Sequence, residues 1–178
     1  MNKRVLACAC SLLWVSASAN AVSFGGGVGK EFSFAEVGTD SSGLAINANY
    51  THNENNGNTA GLGLGLNVPL GPITATAGGR AVYLNPRVGK DGYALAAGGG
   101  LRLPVTSDVS LFGDYYYSPD SLSSRVKDYQ EAVAGIRWTP FRPFSLTGGY
   151  RYIVLNGKKG DSDRTIADGA WIGASASF

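Results

Sequence analysis

The feature that most constrains this chain is a strict alternation of apolar residues with small or polar ones. Leu62, Leu64 and Leu66, for example, alternate with glycines. The same pattern covers eight segments, at 44–51, 60–68, 73–83, 93–103, 109–117, 131–138, 144–152 and 170–178. Successive side chains of an extended strand point to opposite faces, so a period of two predicts β-strands with one apolar face each.

Charged residues of these segments lie on one face only. The apolar face carries no Lys, Arg, Asp or Glu, and the opposite face carries Arg80, Arg102, Asp114, Glu131, Arg137 and Arg151. A soluble β-sandwich would also alternate. However, the charged face is otherwise rich in Gly and Ser, which suits a narrow enclosed interior. The side-chain sizes therefore favour an all-β fold, a small antiparallel up-and-down transmembrane β-barrel with its apolar face in lipid.

Aromatic residues and loop lengths orient the predicted barrel. The nine tyrosines lie beside one set of connections, and Trp138, Phe141, Phe144 and Phe178 lie beside the other. Two aromatic belts are typical of the two interfaces of a bilayer. The connections on the tyrosine side are long and polar, at 52–58, 85–91, 118–128 and 156–168. Long loops outside and short turns in the periplasm place the tyrosines at the outer surface.

The first 21 residues have the pattern of a secretory signal peptide. A basic start at 2–4 precedes an apolar run at 5–15 and the cleavage motif Ala19-Asn20-Ala21. We therefore predict a cleaved leader at 1–21, a single barrel domain at 22–178, and an outer-membrane location in a Gram-negative bacterium. After residue 21, no apolar run approaches the roughly 18 residues of a transmembrane helix.

Cleavage also removes both cysteines and two of the basic residues. Without Lys3 and Arg4, 13 of the 15 basic residues remain, equal in number to the 13 acidic ones. This balance argues against nucleic acid as a partner. The same removal leaves no thiol for a disulfide or a metal site.

Chain length limits the number of strands. A spanning strand takes about 9 to 11 residues, so a 16-stranded porin would need roughly 160 residues in strands alone. From residue 43 onward the pattern gives eight strands. A hairpin of 22–28 and 32–38 around Lys30 and Glu31 would make ten, which we prefer although Glu36 interrupts the alternation there. If residues 22–39 form a tail, eight remain. We expect a monomer.

Catalytic chemistry has little support in the sequence. His52, the single histidine, opens a loop beside Asn53 and Glu54, and a solvated turn residue is the favoured interpretation. An outer-membrane hydrolase or lipid-modifying enzyme with a histidine near the outer rim is the weaker alternative. We expect no cofactor and no metal.

The inward charges carry two interpretations. Four arginines against Asp114 and Glu131 leave an excess of +2 inside. Burying a charge without a partner costs several kcal/mol, so the arginines need acids, carbonyls or water. In the favoured interpretation, Arg, Asp and Glu interlock as a polar plug that braces the barrel. In the alternative, the excess charge lines a narrow channel that favours small anions.

Basic residues of the outer loops are candidate contacts to lipopolysaccharide phosphates. They are Arg87, Lys90, Arg125, Lys127, Lys158, Lys159 and Arg164. Arg and Lys form charge-assisted hydrogen bonds to phosphate oxygens. Aspartates in the same loops reduce the positive field, so solvated loops are the competing interpretation.

Four stretches of the chain resemble a known family. GLGLGLNVPLGP, DYYYSPDSLSS, GGYRY and the final ASASF are similar to the YfaZ family of Gram-negative outer-membrane proteins. The resemblance covers the mature chain and implies a barrel inserted by the barrel-assembly machinery, which reads a terminal strand such as the one ending at Phe178. It implies no reaction and no catalytic residues. A structural or surface barrel and a narrow transport pore are the two functional hypotheses.

Overall fold

The computed structural model describes residues 22–39, 42–87, 90–158 and 163–178. The predicted leader and Lys159 lie outside this part. The strands are β1 Val22–Gly29, β2 Phe32–Thr39, β3 Gly43–Asn53, β4 Gly57–Leu70, β5 Ile73–Pro86, β6 Gly92–Pro104, β7 Val109–Ser118, β8 Ser123–Ser124, β9 Val126–Phe141, β10 Phe144–Gly157 and β11 Arg164–Ser177. A 3-10 helix, Asp120–Leu122, precedes β8. None of the helical segments described has the length and apolar character to traverse a bilayer.

The ten long strands form a closed barrel. Each pairs antiparallel with the next, β7 pairs with β9, and β11 pairs with β1. At the seam, the backbones of Val22 and Phe178 exchange hydrogen bonds of 2.9 and 3.0 Å. The ten-stranded prediction is confirmed, and the eight-stranded alternative is wrong because residues 22–39 form a paired hairpin. Closure leaves no unpaired sheet edge in the membrane, as a spanning β-structure requires.

Glu36 does not interrupt the alternation of β2. Phe32 and Phe34 are buried on the inner face, Ala35 and Val37 are exposed on the outer face, and Glu36 follows the inner parity. The interpretation of Glu36 as an irregularity was wrong because both faces of this strand carry apolar residues. In such a strand, hydrophobicity alone cannot identify the face toward lipid.

The outer wall is apolar and exposed. Leu62, Leu64 and Leu101 show 68, 61 and 59% of their surface, and a continuous apolar surface of this kind is typical of a membrane-facing wall. Seven tyrosines of the outer belt point outward, namely Tyr50, Tyr83, Tyr93, Tyr115, Tyr117, Tyr150 and Tyr152. Tyr116 and Tyr129 are buried at 4 and 1% exposure. Their assignment to the belt was wrong, because they share the inward parity of Asp114 and Glu131.

Glycines of the inner face lie opposite large inward side chains. Gly98 pairs with Tyr116, and Gly100 pairs with Asp114. A Cβ on Gly98 would collide with the Tyr115 carbonyl oxygen, and one on Gly100 would collide with the Asp114 carboxylate. These glycines therefore provide the space that Tyr116 and Asp114 occupy inside a narrow barrel.

Candidate functional site

The extracellular half of the lumen is filled by buried apolar side chains. We call this group the apolar seal: Phe32, Val82, Leu84, Ile153, Leu155 and Ile166. Leu84 and Leu155 are 1% exposed, and Ile166 is fully buried. Every member belongs to a barrel strand. The seal is therefore built from the barrel strands themselves and not from a loop folded into the lumen.

A polar turn is bonded across the outer end of the barrel. The side-chain amide of Asn53 donates a hydrogen bond of 3.0 Å to the Ile166 carbonyl. The Asn53 side-chain oxygen accepts 2.9 Å bonds from the backbone N–H groups of Asn55 and Asn56. Asn56 in turn donates a 2.7 Å bond to the Thr165 carbonyl. The β3–β4 turn is thus tied to β11, which is three strands away from β3 around the barrel.

Below the apolar seal, Arg80 and Glu131 form a buried ion pair. Tyr129 donates a 2.8 Å hydrogen bond to the same Glu131 carboxylate oxygen. Arg80 also donates to the Asn47 side-chain oxygen at 3.2 Å, and its guanidinium carbon lies 4.1 Å from the centre of the Tyr116 ring. Because both charges are compensated, this arrangement avoids the cost of an isolated buried ion.

Arg151 forms a second ion pair, with a residue that the sequence reasoning missed. Its guanidinium contacts the Glu36 carboxylate at 3.4 Å and the Thr51 hydroxyl at 3.3 Å. The guanidinium carbon lies 3.9 Å from the centre of the Phe34 ring, which packs edge-on against Trp171 at 4.8 Å. The inner parity of β2 was the signal that could have identified both Phe34 and Glu36.

The periplasmic half of the lumen contains a cavity of about 160 Å³. All six predicted inward charges line it, together with Glu36. The lining charges therefore have an excess of +1, not the +2 expected from eight strands. At the short-turn end, the inner-face residues Pro69 and Pro104 are exposed, whereas Leu84 at the other end is buried. The cavity opens toward the periplasm and is closed toward the outside.

The two arginines nearest the opening are Arg102 and Arg137. Across the strand register, Arg102 pairs with Phe112 and Arg137 with Ser110 on β7. Asp114 lies two positions from Phe112 toward the extracellular end of β7. Glu131 pairs with Tyr116, which is two positions further in the same direction. On this part of the wall, the basic residues therefore lie closer to the periplasm than the acidic ones. Phe112 lies between the two arginines, and the Arg137 guanidinium carbon is 5.9 Å from its ring centre.

The outer loops hold the predicted phosphate contacts that the structure describes. They are Arg87, Lys90, Arg125, Lys127, Lys158 and Arg164, at or next to the extracellular strand ends. The Arg87 guanidinium donates to the Glu54 carbonyl, and Lys158 pairs with Asp120. In both pairs the basic side chain is bonded to a residue of another outer connection.

His52 lies outside the lumen. Its ring is exposed on the outward face of β3, with Nδ1 2.5 Å from the Asn58 side-chain oxygen. Across the described ranges, no group of three or more His, Cys, Asp or Glu residues has a metal-binding arrangement. The geometry therefore gives His52 a local contact to Asn58 and does not bring it to the charged residues of the lumen.

Comparisons with known proteins identify a family and several proteins that this chain is similar to. A family model described as YfaZ precursor matches residues 1–178. The chain is 52% identical over 180 residues, covering 100% of both chains, to "Outer membrane protein YfaZ" of Escherichia coli (strain K12). It is also similar in fold to the outer membrane channel DcaP of Acinetobacter baumannii, with a TM-score of 0.50 and 13% identity. That match covers 92% of this chain and 55% of the channel, so the chain spans about half of the channel's length. The NanC porin matches at a TM-score of 0.44 and 13% identity, over 90% of this chain and 99% of the porin.

Proposed function

The chain belongs to the YfaZ family of outer-membrane proteins, and on that premise we propose that it is a non-conducting barrel with a structural or surface role. In this proposal it spans the outer membrane without providing a path through it. The parts that keep it closed are the strand wall, the apolar seal and the charged residues beneath the seal. It performs no chemical reaction.

The observation that carries the proposal is the burial of the apolar seal. Leu84, Leu155 and Ile166 are at most 1% exposed, although they belong to the inner side of a barrel. A conducting pore needs a continuous passage wider than a water molecule along its axis. Apolar side chains packed from several strands fill that space and exclude water from it. Small barrels with lumens filled by side chains are a known alternative to channels.

Single-channel recording in planar bilayers tests the proposal. We expect no current steps from the unmodified protein. The double variant Leu84→Ser and Leu155→Ser introduces polar groups into the seal, and we expect it to admit water and ions. The matched control, Leu62→Ser and Leu101→Ser, changes the same residue types on the lipid-facing wall and should remain silent. Regular current steps from the unmodified protein would contradict a closed lumen.

The two alternative functions have weaker support. The anion-selective pore was based on an inner excess of +2, and Glu36 reduces the excess among the cavity-lining charges to +1. The enzyme alternative was based on His52, which points away from the lumen and contacts Asn58. The first observation weakens the case for an anion-selective pore, and the second weakens the case for an enzyme.

We also propose that the outer loops contact lipopolysaccharide. The exposed side chains of Arg87, Lys90 and Lys127 lie above the outer tyrosine belt, at the level where lipid phosphates would meet them. Replacing these three residues with Gln should weaken co-purification of lipopolysaccharide with the barrel. A matched change of Arg142 in the periplasmic β9–β10 turn to Gln should leave it unchanged. Equal lipopolysaccharide content in all the proteins would contradict the contact.

Phe178 fits the role of an assembly signal for the barrel-assembly machinery. It is 72% exposed, and its backbone completes the seam with Val22. We propose that the protein inserts as a monomer, because its own strands close the barrel. Phe178→Ala should lower the folded yield in cells and leave refolding in detergent unchanged. An equal loss in detergent would assign Phe178 a purely structural role.

A further inference from the structure

The periplasm-facing cavity is too large and too polar to be only a packing defect. Its volume of about 160 Å³ is more than ten times the roughly 10 to 15 Å³ that a cavity needs to hold one water molecule. Asn47, Asn67, Thr74 and Thr76 contribute hydrogen-bonding groups to the wall. Phe112 and Trp171 contribute aromatic surface. A concave site with an aromatic wall and a few convergent polar groups is the usual form of a small-ligand site.

The distribution of charge in the cavity favours an anion. Glu131, deeper in the lumen, is bonded to Arg80, and Glu36, whose side chain is 41% exposed, is bonded to Arg151. The register places Arg102 and Arg137 nearer the opening than Asp114. Even with Glu36 counted beside Arg102 and Arg137, the end of the cavity toward the periplasm has a net positive charge. The low-dielectric barrel wall strengthens the field of these charges inside the cleft.

We propose that this cavity is a binding site for a small oxyanion that enters from the periplasm, of about the size of a monosaccharide acid. Arg102 and Arg137 hold the carboxylate or phosphate group, because a planar guanidinium matches two oxygens of either group. Phe112, which lies between the two arginines, packs against the ligand's carbon skeleton. The asparagine and threonine side chains bind its hydroxyl groups. The inference rests on the proposed closed lumen, because a blind cavity retains a ligand that an open pore would let pass.

The test is isothermal titration of the folded protein in detergent micelles with three anions and one neutral sugar. Glucuronate and glucose share a ring and differ by the carboxylate, so they isolate the contribution of the charge. Succinate and inorganic phosphate distinguish a carboxylate site from a phosphate site. We expect glucuronate to bind measurably, glucose to bind at least tenfold more weakly, and added salt to weaken the binding of glucuronate.

Variants assign the binding to the cavity. Arg102→Gln together with Arg137→Gln should weaken binding at least tenfold, and Lys30→Gln in the exposed β1–β2 connection should leave it unchanged. Asp114→Asn removes a negative charge from the cavity and should tighten binding several-fold, which a folding defect would not produce. Absence of binding by all three anions, or binding unaffected by the double variant and by Asp114→Asn, would overturn the site.

The anion titrations test the cavity site separately from the conductance measurement, which tests the closed lumen. A silent bilayer with no anion binding would overturn the site and leave the closed lumen standing. Current steps would overturn the closed lumen. If phosphate binds as tightly as glucuronate, the site recognises oxyanions in general, and if only the carboxylates bind, it recognises carboxylates.

Discussion

The side-chain amide of Asn53 donates a 3.0 Å hydrogen bond to the backbone carbonyl of Ile166, across 113 residues of sequence. Asn53 is 4% exposed, and Ile166 is fully buried beneath it. The same asparagine accepts two backbone hydrogen bonds from its own turn. One side chain therefore shapes the β3–β4 turn and attaches it to β11, three strands away around the outer end of the barrel.

Asn53→Ala should destabilise the barrel through this contact. The change leaves the Ile166 carbonyl and two turn N–H groups without their partner, at a cost of about 1 to 3 kcal/mol in the free energy of unfolding. Guanidinium unfolding in detergent, followed by tryptophan fluorescence, measures the change. Asn58→Ala removes an exposed contact to His52 and should cost less than about 0.5 kcal/mol. Equal effects of the two variants would contradict the role of Asn53.

Glu131→Gln should lower the free energy of unfolding more than the removal of both partners of its ion pair does. The single change leaves the Arg80 guanidinium buried without its counter-charge, which costs about 3 to 5 kcal/mol. The double variant Arg80→Met and Glu131→Gln removes both charges, and its cost should be smaller than that of Glu131→Gln alone. A double-mutant cycle of unfolding free energies gives the coupling. Additive effects would show that the two residues are energetically independent.

Gly98→Ala should prevent normal barrel formation, because the new Cβ would collide with the backbone of Tyr115. The neighbouring Gly79 points outward, and a Cβ there would meet the Ala96 carbonyl at an ordinary 3.5 Å. Gly79→Ala should therefore fold normally. Resistance of the folded barrel to unheated SDS during electrophoresis distinguishes the two. Normal folding of both would mean that the wall has room for a side chain at Gly98.

Leu64→Arg should lower the free energy of unfolding in lipid vesicles, because it places a charge near the centre of the bilayer. Leu64 lies in the middle of the outward face of β4 and is 61% exposed to the lipid side. A lipid-facing arginine near the bilayer centre costs about 2 to 4 kcal/mol, and the cost falls to about 0 to 1 kcal/mol near the interface. Leu70→Arg, at the periplasmic end of the same strand, is the matched control. Equal unfolding free energies of the two variants would contradict the predicted membrane position.

Much of the barrel could be predicted because a single period decides the environment of each strand residue. The alternation at Leu62, Leu64 and Leu66 identified the lipid-facing side, and the opposite parity of Arg80 and Glu131 placed them in the lumen. The alternation also holds in β2, but there the apolar Phe34 and the charged Glu36 share the inner face, so hydrophobicity did not identify that face. A narrow barrel also packs large apolar side chains inside, so an apolar residue does not by itself mark the outer wall.

The contacts across the lumen could not be predicted from the period. Arg80 and Glu131 lie 51 residues apart, and their pairing depends on how ten strands are staggered when the barrel closes. The apolar seal could not be predicted for the same reason, since Leu84, Leu155 and Ile166 meet only when the barrel closes. The sequence indicated charges inside but not that apolar side chains close the outer end above them.

The seam between Val22 and Phe178 places the start of the first strand beside the end of the last strand, on the periplasmic face. A short linker could therefore join them, and new termini could be opened in the β5–β6 connection at Lys90. Such a circularly permuted chain would display its ends at the cell surface while keeping every strand neighbour unchanged. This arrangement makes the barrel a suitable scaffold for presenting a peptide outside the cell.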